Sequence, residues 1–339
     1  MTTLPRTRSG RTWGWLVLVL LPLAALAGGL VFGAIPIAPA EVLAALLGTA
    51  PDDSLNAAIV REARVPRVLA GLMVGAGLGT AGAVMQALTR NALAGPGLMG
   101  LNGGAAVALV LTVIWLPGLG LDVLTAISCA GAAGGALLVW ATVAAIPLGT
   151  TPQRLALIGA VVSGALGAVT AGLVVGNAMQ NDLLYWMVGG LGTIGWREVG
   201  QLAAPCLGGL ALACWLAPAL AVAALGGDVA TGLGLQVRRT RLFATIAVLA
   251  LAGTANAAAG PIGFVGLIAP HLARGLLGSD DRRVIPAAGL LGAALVVCAD
   301  ALGRWIRPPD ELPLGVFTAL LGGPLLIFLA RRRTPGGQP

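Results

Sequence analysis

The chain has 339 residues, of which 58% are apolar and only 10% are charged, and its mean hydropathy is +0.94. This composition leaves too little polar surface for a water-soluble globule of that size, so the sequence predicts an all-α integral membrane protein. The net charge of +7 arises from 20 basic residues, all of them arginine, against 13 acids. The arginines lie in short segments without interleaved aromatic residues, which argues against nucleic-acid binding.

Ten apolar stretches are long enough to cross the roughly 30 Å hydrocarbon core of a bilayer as helices. The first stretch follows three arginines and contains AALAG, so a cleaved signal peptide is an alternative. Its length, and the lack of a polar region before a cleavage site, favour a retained span. The seventh and eighth stretches are short and meet at Gly260 and Pro261. The ten stretches are residues 13–34, 66–88, 97–115, 122–145, 155–175, 197–219, 243–259, 262–277, 285–303 and 313–330.

An even number of spans places both chain ends on the same side of the membrane. Both ends carry arginine clusters, so the positive-inside rule predicts that both are cytoplasmic. The chain then divides into a tail over 1–12, a single transmembrane domain over 13–333 and a second tail over 334–339. Six arginines fall outside against this rule, which either neighbouring acids or a docking acidic partner would explain. They are Arg61, Arg64, Arg67, Arg197, Arg304 and Arg307.

The outer loop over residues 35–65 contains PAEVLAALLG, which predicts a short surface helix that begins at Pro39. Arg64 and Arg67 follow it and are three residues apart at the start of the second span, so they can project toward one face. A forked guanidinium group suits bidentate binding of a partner carboxylate. The alternative is that both arginines extend to the lipid headgroups.

The inner segment over residues 224–242 is short and rich in glycine. Asp228 is a candidate N-cap for one or two helical turns, and Gly232 or Gly234 can end them in a left-handed turn. Such a compact protruding element can seat in a cleft of another protein. The alternative is an ordinary basic loop that obeys the positive-inside rule.

The two halves of the chain show a weak internal repeat. RVPRVLAGLMVGAG is followed by NALAGPGLMGL, and RRTRLFATIAVLALAG is followed by AAAGPIGFVGL. In both, an arginine pair, an apolar helix and a Gly-Pro break occur in the same order, but the first copy starts outside and the second inside. This is the pattern of inverted repeats in transporters, although Gly-Pro breaks also recur by chance.

Few ionisable residues lie within the spans. Asp300 precedes Arg304 by four residues on the same helical face, which favours an ion pair near the outer end of the ninth span over a proton pathway. His271 is the lone histidine. Without a second ligand near it in sequence, we interpret it as a packed residue and not as a metal ligand. The four cysteines lie in apolar stretches without C-x-x-C spacing, so we expect no metal site.

Two long blocks of the sequence resemble the FecCD-type permeases, which import iron-siderophores, haem and cobalamin. The first is RVPRVLAGLMVGAGLGTAGAVMQALTRNALAGPGLMGLNGGAAVAL, and the second runs from GPIGFVGLIAPHLARG to LLGGPLLIFLARR. The resemblance implies a type II importer permease fold of ten helices with an inverted repeat, in a bacterial cell membrane. It also implies a second permease copy or paralogue, two ATP-binding-cassette ATPase subunits and an extracytoplasmic solute-binding protein. The implied cargo is a metal chelate, a ferric siderophore first, with cobalamin or haem as alternatives.

The resemblance also implies roles for particular residues. Arg64, Arg67 and Arg304 match the outer arginines that meet glutamates of the binding protein. The element that receives the ATPase stroke corresponds to Asp228, Ala230, Gly232, Leu233 and Gly234. The cytoplasmic gate corresponds to Asn91, Leu93, Thr151, Pro152 and Gln153. Here Ala92 replaces the usual proline of that loop, so we expect a looser turn.

The chain lacks the G-x-x-x-x-G-K-[ST] motif and has no lysine, so we expect no ATPase activity and no bound cofactor. ATP and magnesium are expected on the partner ATPase. An integral-membrane enzyme would need clustered acids at one face, and the close pairs Asp52-Asp53 and Asp280-Asp281 are predicted on opposite sides. A secondary transporter is disfavoured by the scarcity of ionisable groups within the spans.

Overall fold

The computed structural model describes residues 8–51, 53–145, 152–176, 189–192, 194–306, 308 and 311–331. Within these residues every element of regular structure is a helix. A π-helical turn, Ile59–Arg64, joins the third and fourth helices, and a 3₁₀ turn, Pro96–Met99, precedes the fifth. The helices are α1 (Arg8–Val31), α2 (Pro39–Leu47), α3 (Leu55–Ala58), α4 (Val65–Thr89), α5 (Leu101–Trp115), α6 (Leu121–Ala145), α7 (Pro152–Gly176), α8 (Trp196–Ala223), α9 (Gly227–Gly232), α10 (Val237–Ala259), α11 (Val265–Leu277), α12 (Asp281–Ile306) and α13 (Leu314–Arg331).

The helices agree with the predicted membrane spans. Seven helical stretches are long and apolar enough to cross a bilayer, and three shorter apolar helices lie at Leu101–Trp115, Val265–Leu277 and Leu314–Leu325. Each of the ten predicted stretches overlaps one of these helices, so the all-α membrane fold is confirmed. The 13 residues of α11 extend only about 20 Å at helical rise, less than the hydrocarbon thickness. The count of ten crossings therefore stays a prediction.

Helices α4 and α12 form the centre of the molecule. In each, 78% of the residues in the apolar window are buried, against 28% in α1 and 17% in α7. The outer helices instead expose large apolar side chains, as expected for surfaces that face lipid. The interior is thus helix packed on helix, with α1 and α7 at its periphery.

Glycines allow α4 and α12 to touch through their backbones. A Cβ atom on Gly75 would lie 2.2 Å from the Gly292 carbonyl oxygen, and one on Gly79 would lie 2.1 Å from the Ala288 carbonyl oxygen. Small residues of this kind let membrane helices approach closely, and van der Waals contact then stabilises the pair. This crossing therefore requires glycine at Gly75, Gly79 and Gly292.

Both halves of the chain contain a long helix, a Gly-Pro break and a shorter helix, as the internal repeat predicts. The breaks follow α4 and α10, and they meet inside the bundle. The Asn102 side chain donates a hydrogen bond to the Ile262 carbonyl oxygen at 3.4 Å, and Asn256 donates one to Asn102 Oδ1 at the same distance. The Asn102 amide thereby satisfies one of the carbonyl groups that the break after α10 leaves without a helical partner, and Asn256 holds Asn102 in place.

The ends of the helices gather on two faces of the molecule. Arg67, at the start of α4, pairs with Glu311, and we call this side the Glu311 face. Arg90 follows the end of α4 and donates to the Ala223 carbonyl oxygen at the end of α8, at 2.7 Å, and we call this side the Arg90 face. The 25 residues of α4 separate the two faces by about 37 Å, which matches a bilayer.

Candidate functional sites at the two membrane faces

Arg64 lies at the end of the π-helical turn, and its side chain points back into the protein. Only 4% of the surface of Arg64 is exposed to solvent. Nη1 donates to the Leu30 and Val31 carbonyl oxygens at 2.6 and 2.8 Å, and Nη2 donates to the Ile35 carbonyl oxygen. The last carbonyl groups of a helix lack partners within the helix and carry partial negative charge. Arg64 therefore caps the end of α1 at the Glu311 face.

Arg67 is held by two carboxylates at once. Its Nε and Nη2 donate to Asp300 at 3.1 and 2.8 Å, and its Nη1 and Nη2 donate to Glu311 at 2.9 and 2.8 Å. The side chains of Arg67 and Asp300 are 12% and 5% exposed, whereas that of Glu311 is 28% exposed. This planar arrangement is the strong bidentate type of ion pair, with Glu311 at its solvent side.

Arg304 joins the same cluster from α12. It pairs with Asp300 at 3.1 Å and donates to the Gly29 carbonyl oxygen at 3.1 Å. Its Nε is buried and has no hydrogen-bond partner in the described structure. The guanidinium groups of Arg304 and Arg64 both lie against Gly33. A Cβ atom on Gly33 would be 3.3 Å from Arg304 Nη1 and 3.0 Å from Arg64 Nη2.

The arginine cluster thus contains three cations and two anions, and we use this name for Arg64, Arg67, Arg304, Asp300 and Glu311. The predicted pair between Asp300 and Arg304 is confirmed. The three predicted docking arginines lie together, but all are largely buried and bonded within the chain. Docking therefore stays a prediction. Sequence spacing did not indicate the pair between Arg67 and Glu311, because the two residues are 244 positions apart.

At the Arg90 face, α9 forms the predicted compact element between α8 and α10. Its N-cap is Gly226, with a φ of 130°, and not Asp228, which lies in the first turn of the helix. Only glycine adopts that backbone conformation readily, which explains the correction. Gly232 is the last helical residue, and Gly234, with a φ of 81°, provides the left-handed turn.

Two backbone hydrogen bonds close the C-terminal end of α9. Leu235 N–H donates to the Ala230 carbonyl oxygen and Gly234 N–H donates to that of Thr231, both at 2.9 Å. This is the Schellman arrangement, which satisfies the last carbonyl groups of a helix. The element, residues 224–235, is thereby fixed in shape, and we call it the knuckle.

The knuckle exposes an apolar stripe. Leu225, Val229 and Leu233 are 64%, 51% and 65% exposed and are spaced four residues apart, while Ala230 is fully buried beneath them. Val229 and the C-cap residue Leu233 are four apart along α9 and so lie on one face of it, whereas Leu225 precedes the N-cap Gly226. Sequence reasoning named Leu233 in this role but missed Leu225 and Val229. An ordinary solvated basic loop would not need such a stripe, so the arrangement favours a surface for a partner protein.

The loop after α4 is closed by Asn91. Its Oδ1 accepts a hydrogen bond from Leu93 N–H at 3.0 Å, and its carbonyl oxygen accepts one from Ala94 N–H at 3.0 Å. An Asx turn of this kind fixes a loop without proline, so these bonds hold the turn in place although Ala92 stands at its centre.

The other predicted gate residues lie at the start of α7. Pro152 and Gln153 are its first two residues, and Thr151 lies outside the described residues. The first helical position suits proline, because its missing N–H would have no helical partner there. A gating role for this set stays a prediction.

The fold and the two faces define a polytopic integral membrane protein with an ion cluster at one face and a rigid protruding element at the other. The sequence pattern of the FecCD transport family matches residues 17–332, which is nearly the whole chain. The chain belongs to this family.

Relatives with assigned roles align along most of the chain. The ferric enterobactin transport system permease protein FepD of Escherichia coli (strain K12) is 40% identical over 321 residues, 94% of this chain and 95% of that protein. The Fe(3+)-citrate import system permease protein YfmD of Bacillus subtilis (strain 168) is 39% identical over 281 residues, 83% of this chain and 84% of that protein. A solved metal-chelate type ABC transporter in an inward-facing conformation is 26% identical, with a TM-score of 0.77, and covers 94% of this chain and 98% of its own.

Proposed function

We propose that this chain is the permease subunit of an ATP-binding-cassette importer that passes a ferric siderophore from an extracytoplasmic binding protein to the cytoplasm. The observation that carries the proposal is the alignment, at about 40% identity and along most of the chain, with permeases named for ferric enterobactin and Fe(3+)-citrate. The proposal includes a single transmembrane domain over 13–333, with cytoplasmic tails over 1–12 and 334–339. The chain itself binds no cofactor, and ATP and magnesium belong to the partner ATPase.

The Arg90 face is proposed to be cytoplasmic, with both chain termini on that side. The charge distribution supports this orientation, because Arg90, Arg238, Arg239, Arg241 and Arg274 all lie at this end of their helices. The arginine cluster then faces the extracytoplasmic side. Single cysteines placed at Arg239 or Glu41, in a variant whose four native cysteines are replaced by alanine, are labelled with a membrane-impermeant reagent in intact and in lysed cells to test the assignment.

The knuckle is proposed as the contact for the ATPase, through Asp228, Ala230, Gly232, Leu233 and Gly234. The support is its exposed apolar stripe on a backbone fixed by two hydrogen bonds. A rigid knuckle can transmit a displacement of the ATPase to α8 and α10, which it joins directly. Two ATPase subunits would serve a dimer of this permease with a second copy or a paralogue.

The cytoplasmic gate is proposed at Asn91, Leu93, Thr151, Pro152 and Gln153. The Asx turn of Asn91 supports this role, because it fixes the loop at the inner end of α4.

The arginine cluster is proposed as the docking site of the binding protein, through Arg64, Arg67 and Arg304. In the described structure Glu311 already occupies the outer side of Arg67, so a partner carboxylate has to share or replace that contact. Glu311 then acts as the intramolecular counterpart of the partner's carboxylate. The Glu311→Gln variant should bind the binding protein more tightly than the parent, measured by surface plasmon resonance on the detergent-purified complex. Equal or weaker binding would contradict this arrangement.

Transport itself is tested in proteoliposomes that contain this chain, its ATPase and the binding protein loaded with radioactive ferric siderophore. We expect uptake that requires ATP hydrolysis and stops with a catalytically inactive ATPase. A secondary transporter would take up cargo with the ATPase disabled, and that result would overturn the proposal. The pairing of Asp300 with two arginines also argues against a proton-coupled role for this acid.

A further inference from the structure

The short helix α11 contains a proline in its interior, and this proline deprives one carbonyl group of its helical donor. In a regular helix the Gly266 carbonyl oxygen accepts a hydrogen bond from the N–H of residue 270. That residue is Pro270, which has no N–H. Gly266 and Pro270 are both buried. A buried carbonyl group without a donor costs free energy, so the fold has to supply a donor from another element.

The donor comes from α4. A Cβ atom on Gly82 would lie 1.9 Å from the Gly266 carbonyl oxygen, so this oxygen points at the backbone of α4. Gln86 follows Gly82 by about one helical turn and is 3% exposed. Its Nε2 donates to the Gly266 carbonyl oxygen at 3.5 Å, which is a long hydrogen bond. The side-chain amide of Gln86 therefore replaces the N–H that Pro270 lacks.

The same amide also binds the other end of α11. Gln86 Oε1 accepts a hydrogen bond from Nη1 of Arg274, which lies in the last turn of α11. Arg274 is in turn attracted by Asp281, a buried residue in the first turn of α12. A hydrogen bond from a charged donor is stronger than one between neutral groups. Gln86 thus connects α4 to both ends of α11, and Arg274 extends this connection to α12.

We propose that Gln86 is a positioning residue that fixes α11 to α4, so that α11 moves with the glycine-packed pair of α4 and α12. The 13 residues of α11 are too few to cross the bilayer, so the hydrocarbon thickness alone does not determine the height of this helix in the membrane. The two hydrogen bonds of Gln86 determine it instead, and we call this arrangement the Gln86 clamp. The inference concerns the purified chain and does not depend on transport.

The test is hydrogen–deuterium exchange of the purified full-length chain in detergent, measured separately for the backbone amides of α11 and of α12. We expect Gln86→Leu to speed exchange in α11 by about 5- to 30-fold, the range for buried polar groups that lose a partner, and to leave α12 nearly unchanged. The matched control is Gln201→Leu, because Gln201 donates to Asp122 at 3.3 Å on other helices. Exchange in α11 should not change in this control. An equal increase in α11 and α12 would overturn the proposal, because Gln86 would then support the whole fold.

Pro270 provides a second and sharper variant. Pro270→Ala restores an N–H at position 270, so the Gly266 carbonyl oxygen regains a helical donor and depends less on Gln86. We therefore expect Gln86→Leu to speed exchange in α11 clearly less in the Pro270→Ala background than in the parent, since both substitutions act on one carbonyl group. Additive effects would overturn the proposal. If Gln86→Leu yields no folded protein, Arg274→Gln takes its place: faster exchange confined to α11 supports the clamp, and unchanged exchange overturns it.

Discussion

Asp300 is the residue on which the arginine cluster depends most. Its carboxylate accepts hydrogen bonds from Arg67 at 2.8 and 3.1 Å and pairs with Arg304 at 3.1 Å, and its side chain is 5% exposed. The Asp300→Asn variant leaves Arg304 without its ion-pair partner and Arg67 with Glu311 alone. Removal of one partner from a buried ion pair costs about 3–5 kcal/mol, so we expect a loss of that size in the free energy of unfolding.

An exposed ion pair, Asp280 with Arg283, gives a matched control. Asp280 and Arg283 are 3.9 Å apart and are 42% and 36% exposed. Exposed pairs contribute about 0–1 kcal/mol, so Asp280→Asn should change the stability little. Reversible unfolding of the purified chain in mixed micelles, with increasing sodium dodecyl sulfate, measures both variants under one condition.

A double variant separates charge from packing. If the loss in Asp300→Asn arises from an unpaired buried cation, then adding Arg304→Gln should recover a large part of it, because the charge that lost its partner is also gone. Additive losses in the double variant, or equal losses in Asp300→Asn and Asp280→Asn, would refute the electrostatic reasoning.

Three further predictions follow from the helix contacts and the knuckle. Gly79→Ala should destabilise the chain by about 1–3 kcal/mol or more, because its methyl group would lie 2.1 Å from a carbonyl oxygen of α12. Gly167→Ala, with nothing within 4 Å, should be neutral or stabilising in the same unfolding assay. Gly234→Ala, at a φ of 81°, should cost about 1–2 kcal/mol in that assay, whereas Gly232→Ala, inside the helix, should not. Leu233→Asp should weaken ATPase binding about 10- to 150-fold in a pull-down titration, from the loss of ~1.5–3 kcal/mol of apolar burial; unchanged binding would remove the knuckle from the interface.

Much of the fold could be predicted from the sequence, because lipid imposes a simple rule. A backbone in hydrocarbon must satisfy its own hydrogen bonds, so each long apolar stretch becomes a helix. The surface helix at Pro39 and the break after Ala259 followed from proline and glycine positions, and both are confirmed. The prediction of Asp228 as the N-cap of α9 was wrong. Side-chain preference favours aspartate at an N-cap, but the backbone before α9 adopts a φ of 130°, which only glycine adopts readily.

The candidate sites were harder to predict, since they depend on contacts between distant parts of the chain. The pair of Asp300 and Arg304 lies within one helix and was visible as a spacing of four. The contacts of Arg67 join residues more than 200 positions apart, so no local pattern indicates them. The burial of Arg64 was missed for the same reason, because the carbonyl groups that bind it belong to α1.

The glycine contact between α4 and α12 limits how the molecule can change shape. Two helices whose carbonyl oxygens and Cα atoms touch cannot turn about their axes without driving backbone into backbone. We therefore expect α4 and α12 to move together as one rigid unit in any conformational change. Any opening and closing should then involve elements outside this pair, such as the turns at Gly95-Pro96 and Gly260-Pro261, where the Asn102 side chain donates a hydrogen bond to the Ile262 carbonyl oxygen at 3.4 Å.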